Sequence, residues 1–316
     1  MQVFAGTSGF SIDEWQGRFY PKGLNVDARL SHYSSRLHSV EINNSFYQMP
    51  KASLLERWRD TVPDGFRFAL KAPRRFTHSQ RLRLQGDAFE HFLLATGALV
   101  PKLGPVLFQL PPFLRKDAPL LADFLQQIPS TLLVAFEFRH PSWFDDEIFA
   151  LLASKNVALC GGDSDERGHS PPFVATANFG YLRLRAPSYD ANALREWARR
   201  ILAEPFTHAY VYMKHEVLGP EYALFLDAVV SGAPEPLLTR ATDSEDAAQT
   251  PAATPKKGIA RAKPRIANDP DALAPTAMTA TRPKKGLVRA KPHAATPSLE
   301  VDVPTRAIAS GRRKRA

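Results

Sequence analysis

The chain has 316 residues and a formal net charge of +9, of which +8 lies in residues 233–316, so the first 232 residues are nearly neutral. A single cysteine, Cys160, excludes an intramolecular disulfide, and no apolar run reaches the roughly 20 residues that a membrane span requires. With no secretory signal at the amino terminus, these features predict a cytoplasmic protein that does not contact a membrane.

Short apolar segments whose last residues turn polar recur eight times along the first 232 residues, and mostly helical segments separate them. Eight strands that alternate with helices are typical of a closed (β/α)₈ barrel, so the predicted fold class is α/β, a TIM-type barrel. The predicted strands are 3–8, 39–43, 66–71, 105–110, 132–138, 157–161, 180–185 and 208–213. The predicted helices cover about 28–37, 50–61, 87–100, 117–127, 145–154, 190–203 and 220–230, with a loop over 164–179.

The polar ends of these strands are predicted to meet at the carboxyl-end mouth of the barrel. In the second strand Val40 and Ile42 alternate with Glu41 and Asn43, so the polar pair faces one side of the sheet. If the more apolar set faces the helices, the lumen set at the strand ends holds five cations and two carboxylates, which favours an anionic ligand. That set is Glu41, Asn43, Lys71, Gln109, Glu137, Arg139, Arg183, Arg185, Tyr212 and Lys214, with His78, His140, Asp163, His215 and Glu216 in the loops just beyond it.

The first functional interpretation is an enzyme that acts on an anionic, phosphorylated substrate at this mouth. Glu41 and Glu137 are the acid–base candidates, because a dry lumen can raise the pKa of a carboxyl toward neutrality. Lys71 is predicted to be an electrostatic stabiliser, with a Schiff-base amine as the alternative. No cofactor is assigned. The residues predicted to bind the substrate are Asn43, His78, Gln109, Arg139, His140, Arg183, Arg185 and Lys214.

Structural alternatives stand beside these assignments. Glu41 with Lys71, and Glu137 with Arg139, have a second interpretation as ion pairs that only fill the lumen. Cys160 is predicted to be a small buried residue. No Cys/His zinc spacing occurs and no metal ligand is assigned, although a carboxylate-rich metal site is an unspecific alternative for Glu41, Glu137, Asp163 and His140.

Residues 233–316 are predicted to form a disordered basic tail after a barrel domain of residues 1–232. The tail has 16 basic and 8 acidic residues, eleven prolines and no aromatic residue, and residues 255–264 recur with small changes at 283–292. The second functional interpretation is therefore a nucleic-acid-associated binding protein or a phosphodiester hydrolase, whose tail binds DNA or RNA without sequence preference. An arm that only improves solubility is the alternative. The candidate contacts are Lys256, Lys257, Arg261, Lys284, Lys285 and Arg289.

The strand-end motifs also carry a family resemblance. In order, they are Gly6-Thr7-Ser8-Gly9-Phe10, Val40-Glu41-Ile42-Asn43, Phe68-x-x-Lys71-x-Pro73, Gln109-x-Pro111-Pro112 and Glu137-x-Arg139-x-x-Ser142-Trp143. Over about residues 1–230 they resemble the YecE-like family, domain-of-unknown-function family seventy-two. The resemblance implies a TIM-type barrel of cytoplasmic proteins with no established activity. Many members end strand seven with Arg-x-His-Gly and strand eight with Asn-Asn-Asp, whereas Arg183-x-Arg185 and Lys214-His215-Glu216 resemble a more cationic subgroup.

Overall fold

Eight parallel strands close into a barrel in the computed structural model, which describes residues 1–163 and 171–238. Each strand pairs with the next one along the chain and β8 pairs with β1, so the sheet closes on itself. The strands are β1 Gln2–Ser8, β2 Ser39–Ile42, β3 Arg67–Lys71, β4 Leu103–Gln109, β5 Val134–Glu137, β6 Ala158–Gly162, β7 Phe179–Leu184 and β8 His208–Met213.

Helices follow most of the strands and cover the outside of the barrel. An aspartate caps the amino terminus of three of them. The side chains of Asp117, Asp145 and Asp190 each accept a hydrogen bond from the backbone N–H three residues later. The helices are α1 Arg29–Ser34, α2 Asn44–Tyr47, α3 Ala52–Thr61, α4 Ala88–Gly97, α5 Ala118–Gln126, α6 Asp146–Ser154, α7 Ala191–Ala203 and α8 Gly219–Ser231.

The (β/α)₈ architecture predicted from the sequence is confirmed, and the observed bounds differ from the predicted ones by up to three residues. The elements that were missed include helix α2, directly after β2, and a π-helical turn at Arg75–Ser79, directly after β3. Short 3₁₀ turns at Asp13–Trp15 and Pro141–Trp143 were missed as well. The Ser45 hydroxyl fixes α2 by donating to the carbonyl oxygens of Ile42 and Lys71, at 2.9 and 2.7 Å. Residues 171–178 reach β7 without a helix, as predicted for that part of the loop.

Side chains alternate along the strands between the helix layer and the lumen, as the period of two predicted. Val40, Leu182 and Val211 are buried against the helices. The lower lumen is apolar and aromatic, and the ring of Phe4 stacks on that of Tyr210 with centroids 5.0 Å apart. Above this layer, at the carboxyl ends of the strands, the buried side chains become polar or charged: Glu41, Lys71, Gln109, Glu137 and Arg183.

The described residues end shortly after the last helix. Helix α8 stops at Gly232, whose φ of 71° is the left-handed conformation that glycine adopts readily. The repeat of the basic tail and its six candidate nucleic-acid contacts lie outside the described residues. Within the described ranges, none of the helices combines the length and the apolar character that crossing a membrane requires.

Candidate active site at the mouth of the barrel

Glu41 lies at the end of β2 and is completely buried. Its Oε1 accepts hydrogen bonds from the Ser8 hydroxyl at 2.6 Å and from Asn43 Nδ2 at 3.2 Å. Its Oε2 accepts one from the Tyr181 hydroxyl at 2.7 Å. Burial raises the pKa of Tyr181, and the negative charge of Glu41 raises it further. The hydroxyl of Tyr181 therefore remains a donor at neutral pH. Glu41 is therefore held by the neighbouring strand β1, by the residue that follows its own strand, and by β7 across the lumen.

Arg183 of β7 connects the two carboxylates of the site. Its Nη2 donates to Glu41 Oε1 at 3.1 Å, its Nη1 donates to Glu137 Oε2 at 2.6 Å, and its Nε lies 3.1 Å from Glu41 Oε2. Arg185 continues the series, because its Nη1 lies 3.2 Å from Glu137 Oε1. The result is a chain of four alternating charges, Glu41, Arg183, Glu137 and Arg185, which we call the charge chain. It spans the lumen, since β2 and β5 are not neighbouring strands.

A glycine on β6 lies close to the backbone of Arg183. Gly162 ends β6, the strand that lies between β5 and β7, and it pairs with Arg183 in register. Its φ of 136° disfavours any other residue, and a Cβ there would lie 2.0 Å from the carbonyl oxygen of Arg183. Gly162 therefore allows the backbones of β6 and β7 to approach closely at the level of Arg183.

Lys71 and Gln109 complete the buried layer on β3 and β4. The ammonium of Lys71 lies 4.0 Å from the centre of the Phe46 ring, a cation–π distance. Its charge also reaches both carboxylates, because it contributes to lowering the pKa of Glu41 and of Glu137. Gln109 pairs in register with Glu137, and its Oε1 is buried without a hydrogen-bond partner.

The pKa values of Glu41 and Glu137 are lowered, not raised as expected from the sequence. Burial alone would raise the pKa of Glu41, but the charge of Arg183 and the hydrogen bonds from Ser8 and Tyr181 outweigh it, and the pKa falls below its ordinary value. Burial is likewise outweighed at Glu137 by Arg183, Arg185 and Lys71, so that pKa also falls. The prediction that a dry lumen raises these pKa values toward neutrality is wrong, because the lumen also buries the compensating cations.

The remaining predicted residues form the rim of the mouth. Arg185, Arg139, His140, His78 and Asn43 are partly buried, and Lys214 is exposed. His140 Nδ1 accepts from the backbone N–H of Ser142 and lies 2.8 Å from its hydroxyl. His78 Nδ1 lies 2.9 Å from the Thr77 hydroxyl. Four of these residues were predicted to face the lumen, but they lie beyond the last residues of their strands and form the rim instead: Asn43, Arg139, Arg185 and Lys214. Strand parity does not describe side chains in these turns.

Asp163 accepts hydrogen bonds from residues that follow β7. Its carboxylate accepts hydrogen bonds from the backbone N–H groups of Arg185 and Ala186 and, at 2.6 Å, from the Tyr189 hydroxyl. It therefore ties the end of β6 to the loop after β7. No three His, Cys, Asp or Glu side chains within residues 1–163 and 171–238 lie together in an arrangement that could hold a metal ion.

Sequence reasoning gave Arg183 the wrong neighbours. It was assigned to the substrate, whereas each of its donor nitrogens lies against Glu41 or Glu137. Ser8 and Tyr181 were missed as partners of Glu41, although Tyr181 shares the lumen parity of Arg183 and could have been found that way. Cys160 is buried as predicted, and burial is the main cause that raises the pKa of its thiol.

Comparison with known proteins finds a family model that matches most of the chain. Residues 4–246 match the model of the family described as protein of unknown function DUF72, which covers most of the chain. UPF0759 protein YecE of Escherichia coli strain K12 is 34% identical over 135 residues, which are 42% of this chain and 48% of YecE. UPF0759 protein YunF of Bacillus subtilis strain 168 is 29% identical over 155 residues, 46% of this chain and 54% of YunF. The match thus spans about half the length of these curated relatives.

Solved structures of similar proteins agree on the fold. A DUF72 family protein of Thermotoga maritima has a TM-score of 0.62 and 21% identity, over 73% of this chain and 100% of that one. A DUF72 family protein of Enterococcus faecalis has a TM-score of 0.62 and 17% identity, over 76% of this chain and 99% of that one. Together with the family match, these findings confirm the resemblance seen in the strand-end motifs: the chain belongs to the DUF72 family of proteins of unknown function.

Proposed function

We propose that the protein is an enzyme that acts on a small anionic substrate, of the phosphorylated class, at the carboxyl-end mouth of the barrel. The observation that carries the proposal is the buried charge chain, which lies at the end of the barrel where enzymes of this fold place their active sites. Fixed charges in a site that excludes water stabilise charge that develops during a reaction, because they need no reorganisation.

The cations of the mouth lie at two depths in the barrel. Arg183 and Lys71 are buried at the level of the carboxylates, and Arg185 extends from Glu137 to the partly buried rim. Arg139 on the rim and the exposed Lys214 add positive charge toward solvent. In this proposal Arg139, Arg185 and Lys214 hold the anion, together with Asn43, His78 and His140.

The lowered pKa of Glu41 and Glu137 supports a positioning role for both carboxylates. Carboxyls that are ionised at neutral pH are poor general acids, and the hydrogen bonds and ion pairs they already make weaken them as bases. They hold Arg183 and the neighbouring Lys71 in position. Lys71 is then the group that stabilises charge on the substrate, with a Schiff base to a carbonyl substrate as the alternative chemistry.

The test is calorimetric titration with inorganic phosphate and with a series of sugar phosphates. Arg185→Ala and Lys214→Ala should each weaken binding, and about tenfold is expected where a charge-assisted hydrogen bond is lost. Arg57→Ala, an exposed position on the outer helix α3, is the matched control and should leave binding unchanged. Equal affinity in the mouth variants and the control would contradict the proposal, as would the absence of binding to any phosphate.

A second proposal concerns the basic tail. The two copies of Pro-Lys-Lys-Gly-x-x-Arg-Ala-Lys-Pro place cations at a fixed repeat in a segment without aromatic residues, which suits contact with phosphate backbones more than stacking on bases. In this case the chain is a nucleic-acid-associated protein, and a phosphodiester would suit both the tail and the cationic mouth.

A further inference from the structure

Gln109 and Glu137 form a pair of buried acceptors at the mouth. They end the neighbouring strands β4 and β5, pair in register, and are 3% and 2% exposed. Oε1 of Gln109 has no hydrogen-bond partner. Oε1 of Glu137 lies 3.2 Å from Arg185 Nη1 but accepts no hydrogen bond with acceptable geometry. Each of the two oxygens can therefore accept a hydrogen bond from a donor outside the charge chain.

This deficit is local to one side of the mouth. Both oxygens of Glu41 accept hydrogen bonds, and so does Oε2 of Glu137. Leaving a buried acceptor without a donor is costly, and roughly nine in ten buried polar groups in proteins have a hydrogen-bond partner. Arg183 Nε also lacks a hydrogen bond, but it is a donor and lies 3.1 Å from Glu41 Oε2. Gln109 and Glu137 are therefore two adjacent buried acceptors that a ligand could supply with donors.

The surrounding charge decides the kind of donor. An ammonium group of a ligand would lie close to Arg183, Arg185 and Lys71, and like charges at short range repel strongly in a buried site. A neutral hydroxyl donates without that repulsion. Neighbouring strands are about 4.8 Å apart, so hydroxyls on adjacent carbon atoms of one ligand can reach both acceptors.

We infer that Gln109 and Glu137 accept hydrogen bonds from hydroxyl groups of the substrate, which makes the substrate class a hydroxylated anion, such as a polyol phosphate or a hydroxy acid. The inference rests on the proposed function, because it assumes that the rim cations hold the anionic end. Gln109 is then a specificity residue: an analogue without the hydroxyls leaves two buried acceptors unpaired, and sites of this kind reject such analogues strongly.

Pairs of ligands that differ only in their hydroxyls test this on the intact wild-type chain. Calorimetry would compare glycerol phosphate with propyl phosphate, and glycerate with propionate, so that the two pairs also distinguish a phosphate from a carboxylate as the anionic end. We expect the hydroxylated member of at least one pair to bind tenfold or more tightly, the factor of a hydrogen bond to a charged acceptor.

The variant Gln109→Met removes one acceptor at nearly constant volume. It should reduce the preference for the hydroxylated ligand by about threefold to tenfold, the range of one hydrogen bond. The hydroxylated ligand should bind more weakly and the deoxy ligand should not, because the variant leaves one fewer buried acceptor unpaired. Gln126→Met, at an exposed position of helix α5, is the matched control and should change neither affinity.

The outcomes separate the two proposals. Equal affinity for hydroxylated and deoxy ligands in the wild-type chain overturns this inference and leaves the anion-binding function standing. A preference that Gln109→Met leaves intact also overturns it. If none of the four ligands binds, both proposals fail together. Should Gln109→Met not fold, the wild-type comparison alone decides the matter.

Discussion

Arg183 holds two carboxylates that come from separate parts of the barrel. We predict that Arg183→Met lowers the free energy of unfolding by about 3–5 kcal/mol, because it leaves Glu41 and Glu137 buried without their shared cation. Urea unfolding at neutral pH measures this loss. The matched control is Arg199→Met on helix α7, which breaks an exposed ion pair with Glu196 and should change the free energy of unfolding little. A similar small loss in both variants would contradict the prediction.

The lowered pKa of Glu137 predicts a dependence of stability on pH. A carboxyl whose folded pKa lies below its unfolded value stabilises the fold above the unfolded value, and this contribution is lost as the pH falls through the folded one. The ordinary value is 4.5, so the loss should begin below about that pH. The variant Glu137→Gln has no such group.

The difference in free energy of unfolding between the wild-type chain and Glu137→Gln should therefore be constant near neutral pH and shrink below about pH 4.5. Urea unfolding from neutral pH into the acidic range checks this. A difference that grows as the pH falls would show that the pKa of Glu137 is raised instead.

At the scale of strands and helices, a period of two was enough to predict which side chains enter the lumen. Glu41, Lys71, Gln109 and Glu137 were located this way, because alternation is a local property of each strand. Helix α2 was not predicted: Ser45 fixes it through the carbonyl of Lys71, a residue 26 positions further along the chain. Contacts of that kind depend on the closed fold.

Partners across the lumen were the part of the site that the sequence could not provide. Parity places Arg183 and Glu41 on the same side of the sheet, but 142 positions separate them, and several cations share that side. Which cation pairs with which carboxylate depends on side-chain length and on the space left in the lumen. The direction of the pKa shifts followed from this pairing and was predicted wrongly for the same reason.

Another prediction concerns Gly162 at the end of strand β6. Gly162→Ala should lower the free energy of unfolding by at least about 2 kcal/mol, because the residue has a positive φ and its Cβ would meet the backbone of β7. Gly97→Ala, at the end of helix α4 where a Cβ meets no atom within 4 Å, is the control and should not be destabilising. Thermal unfolding of both variants decides this, and equal melting temperatures would contradict it.

At the scale of the whole molecule, the positive charge is concentrated in residues 233–316, with 16 basic and 8 acidic residues. We predict that the full chain binds duplex DNA without sequence preference and that a truncated chain ending at Gly232 binds weakly. If roughly half of the basic residues contact phosphates, log K against log salt should have a slope of about −7, from ~0.9 per phosphate.

Fluorescence anisotropy over a salt series measures both chains. Preference for single strands should be slight, because the tail has no aromatic residue to stack on bases. Equal binding by both chains would move the nucleic-acid site to the barrel and favour a phosphodiester hydrolase. If neither chain binds at low salt, the tail has another role and only the small anionic substrate remains.

The bridge from Glu41 through Arg183 to Glu137 also constrains how descendants of this barrel can diverge. Loss of Arg183 alone leaves two buried carboxylates without their shared cation, so a chain that has made only this change is less stable than the states before and after the matching changes. Lineages should therefore keep the three residues or exchange them together. Among homologues, a barrel that lacks the arginine should also lack both glutamates.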